Sequence, residues 1–339
     1  MQATKMAAGG DMGFPNEPAA RQPARRYRGL TLGFSLLVFT ASVWYIQQTF
    51  QWRDLGRVLK TVNLTCLIAG GGASIMAFWW LRTLRWQILL RRNKTHIPLV
   101  DLYLCSAVAL SFSLVTPFQS GEMLKIELLK NHGRLQRAPG YGSFLVERVL
   151  DFASLLTIAC VCILTSTDIL PGRAHAHWIL GGLALACAAA WFALQKFQST
   201  GRPQRLLAAM RQCVGDVPTL LLVTAITGAA WAMMAVGWQV FLFSTGIELG
   251  FAQTLTLMSI VALVSILSLI PGGLGISEAG CAQLLMHFGC AAALAQAGSL
   301  VLRSCSLVAI ALGLAHWGLW KFIQSRRTRH HAACAANPA

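Results

Sequence analysis

The stretch Ile270-Pro271-Gly272-Gly273-Leu274-Gly275-Ile276-Ser277-Glu278 decides how this chain folds. It closes an uncharged apolar run, residues 249–270, that has the length of a helix. Proline offers no amide and collides with the preceding turn, and the glycines beside it add no helical preference, so the helix stops here. Apolar sequence resumes just past Glu278. Backbone that leaves helical geometry inside a bilayer survives only where protein or a polar cavity covers it. The stretch therefore reads as a broken helix inside a membrane protein.

Composition agrees. Of 339 residues 55% are hydrophobic and only 12% charged, too little polar surface for a soluble chain. A spanning helix needs about 20 mostly apolar residues, and residues 29–50, 61–81, 174–195 and 217–247 qualify without a single charge. The first follows Arg21, Arg25, Arg26 and Arg28 and is longer than a secretory signal core, so it reads as an uncleaved anchor. Residues 1–28 read as a disordered basic arm, 29–323 as the membrane domain and 324–339 as a basic tail. The ten cysteines form no CxxC and read as small packing residues. His175 with His177, and His330 with His331, offer too few ligands for a closed zinc site, so no metal or cofactor is expected.

The net charge of +16 is interleaved with the spans, which points to membrane orientation and away from nucleic acid. Five basic groups hold 22 residues: Lys5 with the arm arginines; Arg82, Arg85, Arg91, Arg92 and Lys94; Lys125, Lys130, Arg134 and Arg137; Lys196, Arg202, Arg205 and Arg211; Lys321, Arg326, Arg327 and Arg329. All lie on the cytoplasmic side only if residues 102–121 enter the membrane and return. A full crossing would leave 11 basic loop residues inside and 15 outside. Residues 102–116 would also make a helix of roughly 22 Å, short for a span, and Pro117 ends it. The expected protein thus sits in a bacterial inner membrane with both termini cytoplasmic and residues 168–176 and 244–250 outside.

The two breaks match. Pro117, Gly121 and Glu122 precede Arg148; Pro271, Gly272, Gly273, Gly275 and Glu278 precede Arg303. The prolines are 154 residues apart and the arginines 155. An inverted repeat follows, with halves of about 29–167 and 174–323, because each half makes an odd number of crossings. The expected fold is all-α: about six spanning helices plus two broken or re-entrant elements, eight hydrophobic segments altogether. The first element opens from the cytoplasm and the second from outside, and charge does not decide whether the second, with return arm 279–302, is re-entrant or a full hairpin.

Glu122, Glu147, Arg148, Asp151, Glu278 and Arg303 fall in apolar surroundings, where a central charge costs about 2.5 to 3.5 kcal/mol on insertion scales. Helical spacing joins Arg148 to Asp151. Arg303 has no acid within four positions, so Glu278 is its expected partner, and the repeat pairs Glu122 with Arg148. Such pairing predicts that exchanging Glu278 and Arg303 together is milder than changing either alone. Guanidinium suits phosphate, so Glu122, Arg148, Asp151, Glu278 and Arg303 are the expected substrate-binding set, with a headgroup between the two arginines; the bland alternative is two ion pairs that only clamp helix halves. Gly70, Gly71 and Gly72, Gly181 and Gly182, and Gly228 are expected to allow close helix contact. Trp79, Trp80, Trp86, Trp178, Trp238, Trp317 and Trp320 are expected at the interfaces.

These stretches, TPFQSGEMLK (116–125), FLVERVLDFASLL (144–156), IPGGLGISEAG (270–280) and SLVLRSCSL (299–307), resemble the membrane domain of the lysylphosphatidylglycerol synthases, also called flippase-like. The resemblance implies translocation of a lipid or lipid-linked substrate between leaflets, and the two arginines make a phosphate-bearing one the expectation, with membrane lipids as partners. It does not imply synthesis, since only about eighteen residues follow Lys321 where synthases carry a catalytic domain. Stand-alone relatives accompany hopanoid, glycolipid or glycosylation pathways, so a scaffold for a separate biosynthetic enzyme is the alternative. A membrane-embedded lipid-modifying enzyme fits less well, because no Ser/His/Asp set or metal-binding carboxylate motif is present.

Overall fold

A computed structural model describes residues 62–131, 133–165, 202–267 and 270–336, with isolated positions before 62 and between 181 and 185. The expected spans 29–50 and 174–195, the arm, the loop 168–176, His175, His177 and Trp178 lie outside the described residues. Among the described residues there are nine α-helices and no strand. They are α1 (Gly71–Arg92, entered by a π turn, Cys66–Gly70), α2 (Leu99–Ser113), α3 (Leu124–Asn131), α4 (Arg137–Thr165) and α5 (Arg202–Cys213). Then come α6 (Val217–Phe243), α7 (Phe251–Leu267), α8 (Ile276–His287) and α9 (Ala292–Ala336). The 3₁₀ segments Pro117–Met123 and Pro271–Gly273 interrupt α2–α3 and α7–α8. α4, α6 and the Ala292–Arg326 part of α9 are long and apolar enough to cross a bilayer. The protein is an all-α, multi-pass membrane protein.

α1 and α6 run antiparallel in close contact. A Cβ on Gly71 would lie 2.5 Å from the Phe241 ring, and one on Gly237 2.6 Å from Ser74 Oγ. At one end Asn63 N–H donates to the Ser244 carbonyl at 3.1 Å; at the other Arg92 pairs with Asp216. Asp216 also caps α6 by accepting from Thr219 N–H at 3.0 Å, and the Thr219 bonds followed by Arg92 hold its carboxyl below the usual carboxylate range. Among the described residues Gly228 meets nothing within 4 Å, so close packing is seen at the Gly70–Gly71 seam and not at Gly228; the neighbours of Gly181 and Gly182 lie outside the described residues.

Both broken elements turn back. Arg134, just past α3, pairs with Asp101 in the first turn of α2, and Ile126 and Leu129 pack with Leu102 and Cys105. The chain thus leaves by the end at which it entered, the Asp216 end. In the second element Leu285, near the end of α8, and Ile247, just ahead of α7, close on Gly298. This element too leaves by the end at which it entered, the Ser244 end. The two breaks meet: a Cβ on Gly272, held at φ +59, would overlap the Leu114 carbonyl oxygen.

Four boundaries differ from those expected. Nothing between Leu81 and Asn93 breaks a helix, so α1 runs on to Arg92 and carries Arg82 and Arg85 inside the protein, where a cytoplasmic turn was expected. Residues 202–213, expected as linker, form α5, whose Ala209 nestles against Gly142 of α4. The expected return arm 279–302 divides at Gly289, φ +92, into α8 and the start of α9. α9 then continues through the expected tail to Ala336.

Candidate functional site

Two charge clusters flank the meeting of the breaks. In the first, Asp151 of α4 binds three arginines: Arg82 at 2.8 Å, Arg85 at 2.5 Å and Arg148 at 2.8 Å. Glu122, in the first break, binds Arg148 at 2.7 Å and Arg82 at 3.1 Å. Glu147 binds Lys125 at 2.6 Å and Arg85 at 3.2 Å, and Arg85 also donates to Thr227 Oγ1 at 2.9 Å. Lys125 Nζ lies 4.3 Å from the centre of the Trp86 ring, whose Nε1 donates to Ser143. Four cations thus face three carboxylates, nearly all withdrawn from solvent. Charges so buried hold only when each has partners, and this mutual pairing supplies them.

The second cluster fixes the second break. Glu278 accepts from Gly275 N–H at 2.6 Å and Ser277 Oγ at 3.0 Å, capping its own helix, and pairs with Arg303 Nε at 3.2 Å. Arg303 Nη1 donates to the Gly272 carbonyl at 2.6 Å. In the first break Thr116 Oγ1 accepts from Gly121 N–H at 2.7 Å, and a Cβ on Gly121 would come within 2.7 Å of the Phe112 backbone.

Between the clusters lies a cavity of about 230 Å³. Its polar lining comprises Arg82, Glu122, Glu278 and Arg303 with Thr116, Gly272 and Ser306; its apolar lining includes Phe78, Trp79, Trp231, Trp238, Met234 and Met258. Both breaks, α1, α6, α7 and α9 contribute to it.

Both expected pairs, Glu122 with Arg148 and Glu278 with Arg303, form. Of the expected site residues, Glu122, Glu278, Arg303, Gly272 and Gly273 reach the cavity, while Arg148 and Asp151 stand behind Arg82 and Glu122. The arginine facing Arg303 across the space is therefore Arg82, in the role expected of Arg148. Arg82, Arg85 and Lys125 were assigned to cytoplasmic loops because basic residues near a span end usually lie there; the uninterrupted helical run from Leu81 to Arg92 and the apolar neighbours Phe78 and Trp86 were the signal against it. Trp79 and Trp238 line the cavity and Trp86 is fully buried, so these three are not interface anchors.

The family described as lysylphosphatidylglycerol synthase TM region matches residues 32–313. No curated protein matches the chain.

Proposed function

The chain belongs to the lysylphosphatidylglycerol synthase transmembrane-region family, a membrane family linked to lipid metabolism or transport, and from that premise we propose that it translocates a phosphate-bearing lipid or lipid-linked substrate between leaflets. One observation carries the reading: a single cavity touches two opposed broken elements and is lined by both charged and apolar side chains. A headgroup needs a polar path, whereas acyl chains can stay in the bilayer. The cavity is smaller than the roughly 300–1,000 Å³ that encloses a drug-sized ligand, which suits a headgroup alone. Opposed broken helices that meet midway are the means by which transporters expose one site to alternate sides. In this reading no covalent step occurs, the partners are membrane lipids, and the membrane is the bacterial inner membrane with both termini cytoplasmic.

The test is reconstitution into vesicles carrying fluorescent phosphatidylglycerol. Quencher added outside should reach the inner-leaflet pool faster with protein than without. Arg82→Ala and Arg303→Ala, at matched reconstitution, should each slow that phase at least tenfold. Rates equal to protein-free vesicles across phosphatidylglycerol, aminoacylated phosphatidylglycerol and a polyprenyl phosphate would overturn transport and favour the scaffold.

A further inference from the structure

The four ionisable side chains on the cavity wall are not equally open to it. Glu122 is 1% exposed and Glu278 6%, and both carboxylates are engaged, by two arginines in one case and by an amide, a hydroxyl and a guanidinium in the other. Arg82 is 7% exposed and held between Glu122 and Asp151. Arg303 is 26% exposed. Its Nε and Nη1 are used, but Nη2 donates to nothing among the described residues. One turn along α9, Ser306 also lines the cavity, with a hydroxyl that bonds to no described residue. The first cluster, Arg82 included, carries four cations against three carboxylates. The cavity thus presents donors and positive potential, and its carboxylates are already spent on the protein.

We infer that this site selects a net-anionic phosphate headgroup, received on Arg303 Nη2 and the Ser306 hydroxyl, and rejects one whose phosphate is outweighed by ammonium groups. Guanidinium and hydroxyl donors match phosphate oxygens. An ammonium-rich headgroup would need a carboxylate, and taking Glu278 from Arg303 and Gly275 would undo the second break. The apolar side chains that also line the cavity can cover the first carbons of a lipid, which free phosphate lacks. The inference rests on the transport reading for its site, but it names a charge preference that the family description, with its aminoacylated lipid, does not.

The test is binding, not transport. Full-length protein in neutral detergent is offered equimolar phosphatidylglycerol, lysylphosphatidylglycerol and phosphatidylethanolamine, and retained lipid is read by native mass spectrometry. Phosphatidylglycerol should exceed lysylphosphatidylglycerol about tenfold, a difference of about 1.4 kcal/mol. Equimolar inorganic phosphate should displace none of it. Ser306→Asp, which sets a carboxylate beside Arg303, should shrink that ratio toward one. Equal or greater retention of lysylphosphatidylglycerol by the wild-type protein overturns the inference whether or not the variant folds, and displacement by inorganic phosphate overturns the lipid assignment. A protein with the expected preference that fails to speed leaflet exchange refutes transport and leaves the inference standing.

Discussion

Arg303 donates to the Gly272 carbonyl as well as to Glu278, and Glu278 accepts from the Gly275 amide and Ser277 hydroxyl as well as from Arg303. The symmetry that makes a charge exchange look harmless in sequence is absent in three dimensions. An arginine at 278 has nothing with which to accept the Gly275 N–H, and a glutamate at 303 has nothing to donate to Gly272. Breaking a buried pair costs about 3 to 5 kcal/mol because the remaining charge stays buried; Arg303 is partly exposed while Glu278 is buried, so the loss should be smaller when Glu278 is the partner removed. Joint exchange, Glu278→Arg with Arg303→Glu, is therefore expected to melt no higher than the worse single variant in detergent-solubilised protein. Recovery of the wild-type Tm would show that the pair is purely electrostatic. The pair itself was legible, since Arg303 has no local acid and Glu278 is the nearest one upstream. The larger cluster was not. Spacing shows that Arg148 and Asp151 share a helix face, but nothing local shows that Arg82 and Arg85, some 60 to 70 positions earlier, converge on the same carboxylate.

At the scale of elements, proline and glycine placed both breaks correctly because they act through the backbone of their own residues. Helix ends set by tertiary burial were missed: α1 outlasts its apolar stretch because acids on α4 and in the first break neutralise Arg82 and Arg85. The seam between the breaks is likewise a tertiary fact, and two glycines isolate it. Gly272 and Gly289 both sit at positive φ, where a Cβ costs about 1 to 2 kcal/mol, but only Gly272 faces a backbone oxygen, while Gly289 meets nothing within 4 Å. Gly272→Ala should therefore lower stability by a further ~1 to 3 kcal/mol over Gly289→Ala, the usual cost of overpacking. Tm values of the two purified variants measure it. Equal losses would mean that the breaks do not press on each other.

For the whole molecule, most of the described basic loop residues still gather at one end after Arg82, Arg85 and Lys125 are withdrawn to the interior, Lys60 near Asn63 being an exception. Arg91, Arg92, Lys94, Arg134, Arg137 and α5 lie with Asp216, at the end opposite Ser244. The inference that charge drew from loops is thus preserved with fewer residues, because the three withdrawn cations came from both of the competing arrangements. With the positive loops cytoplasmic, as in the proposed reading, the first break would be reached from the cytoplasm and the second from outside. Single cysteines in a background without cysteine test this at positions on exposed turns that strain no backbone. His96→Cys and Gln136→Cys should resist a membrane-impermeant maleimide in intact cells and react after permeabilisation. Glu248→Cys and Ala291→Cys should react in intact cells. If Gln136 reacted from outside while His96 stayed protected, α2 and α3 would have to cross the bilayer, Arg134 would leave Asp101, and the meeting of the two breaks on which the cavity depends would be lost. If all four reversed together, the fold would stand and only its orientation would change, placing the Arg303 edge of the cavity toward the opposite leaflet.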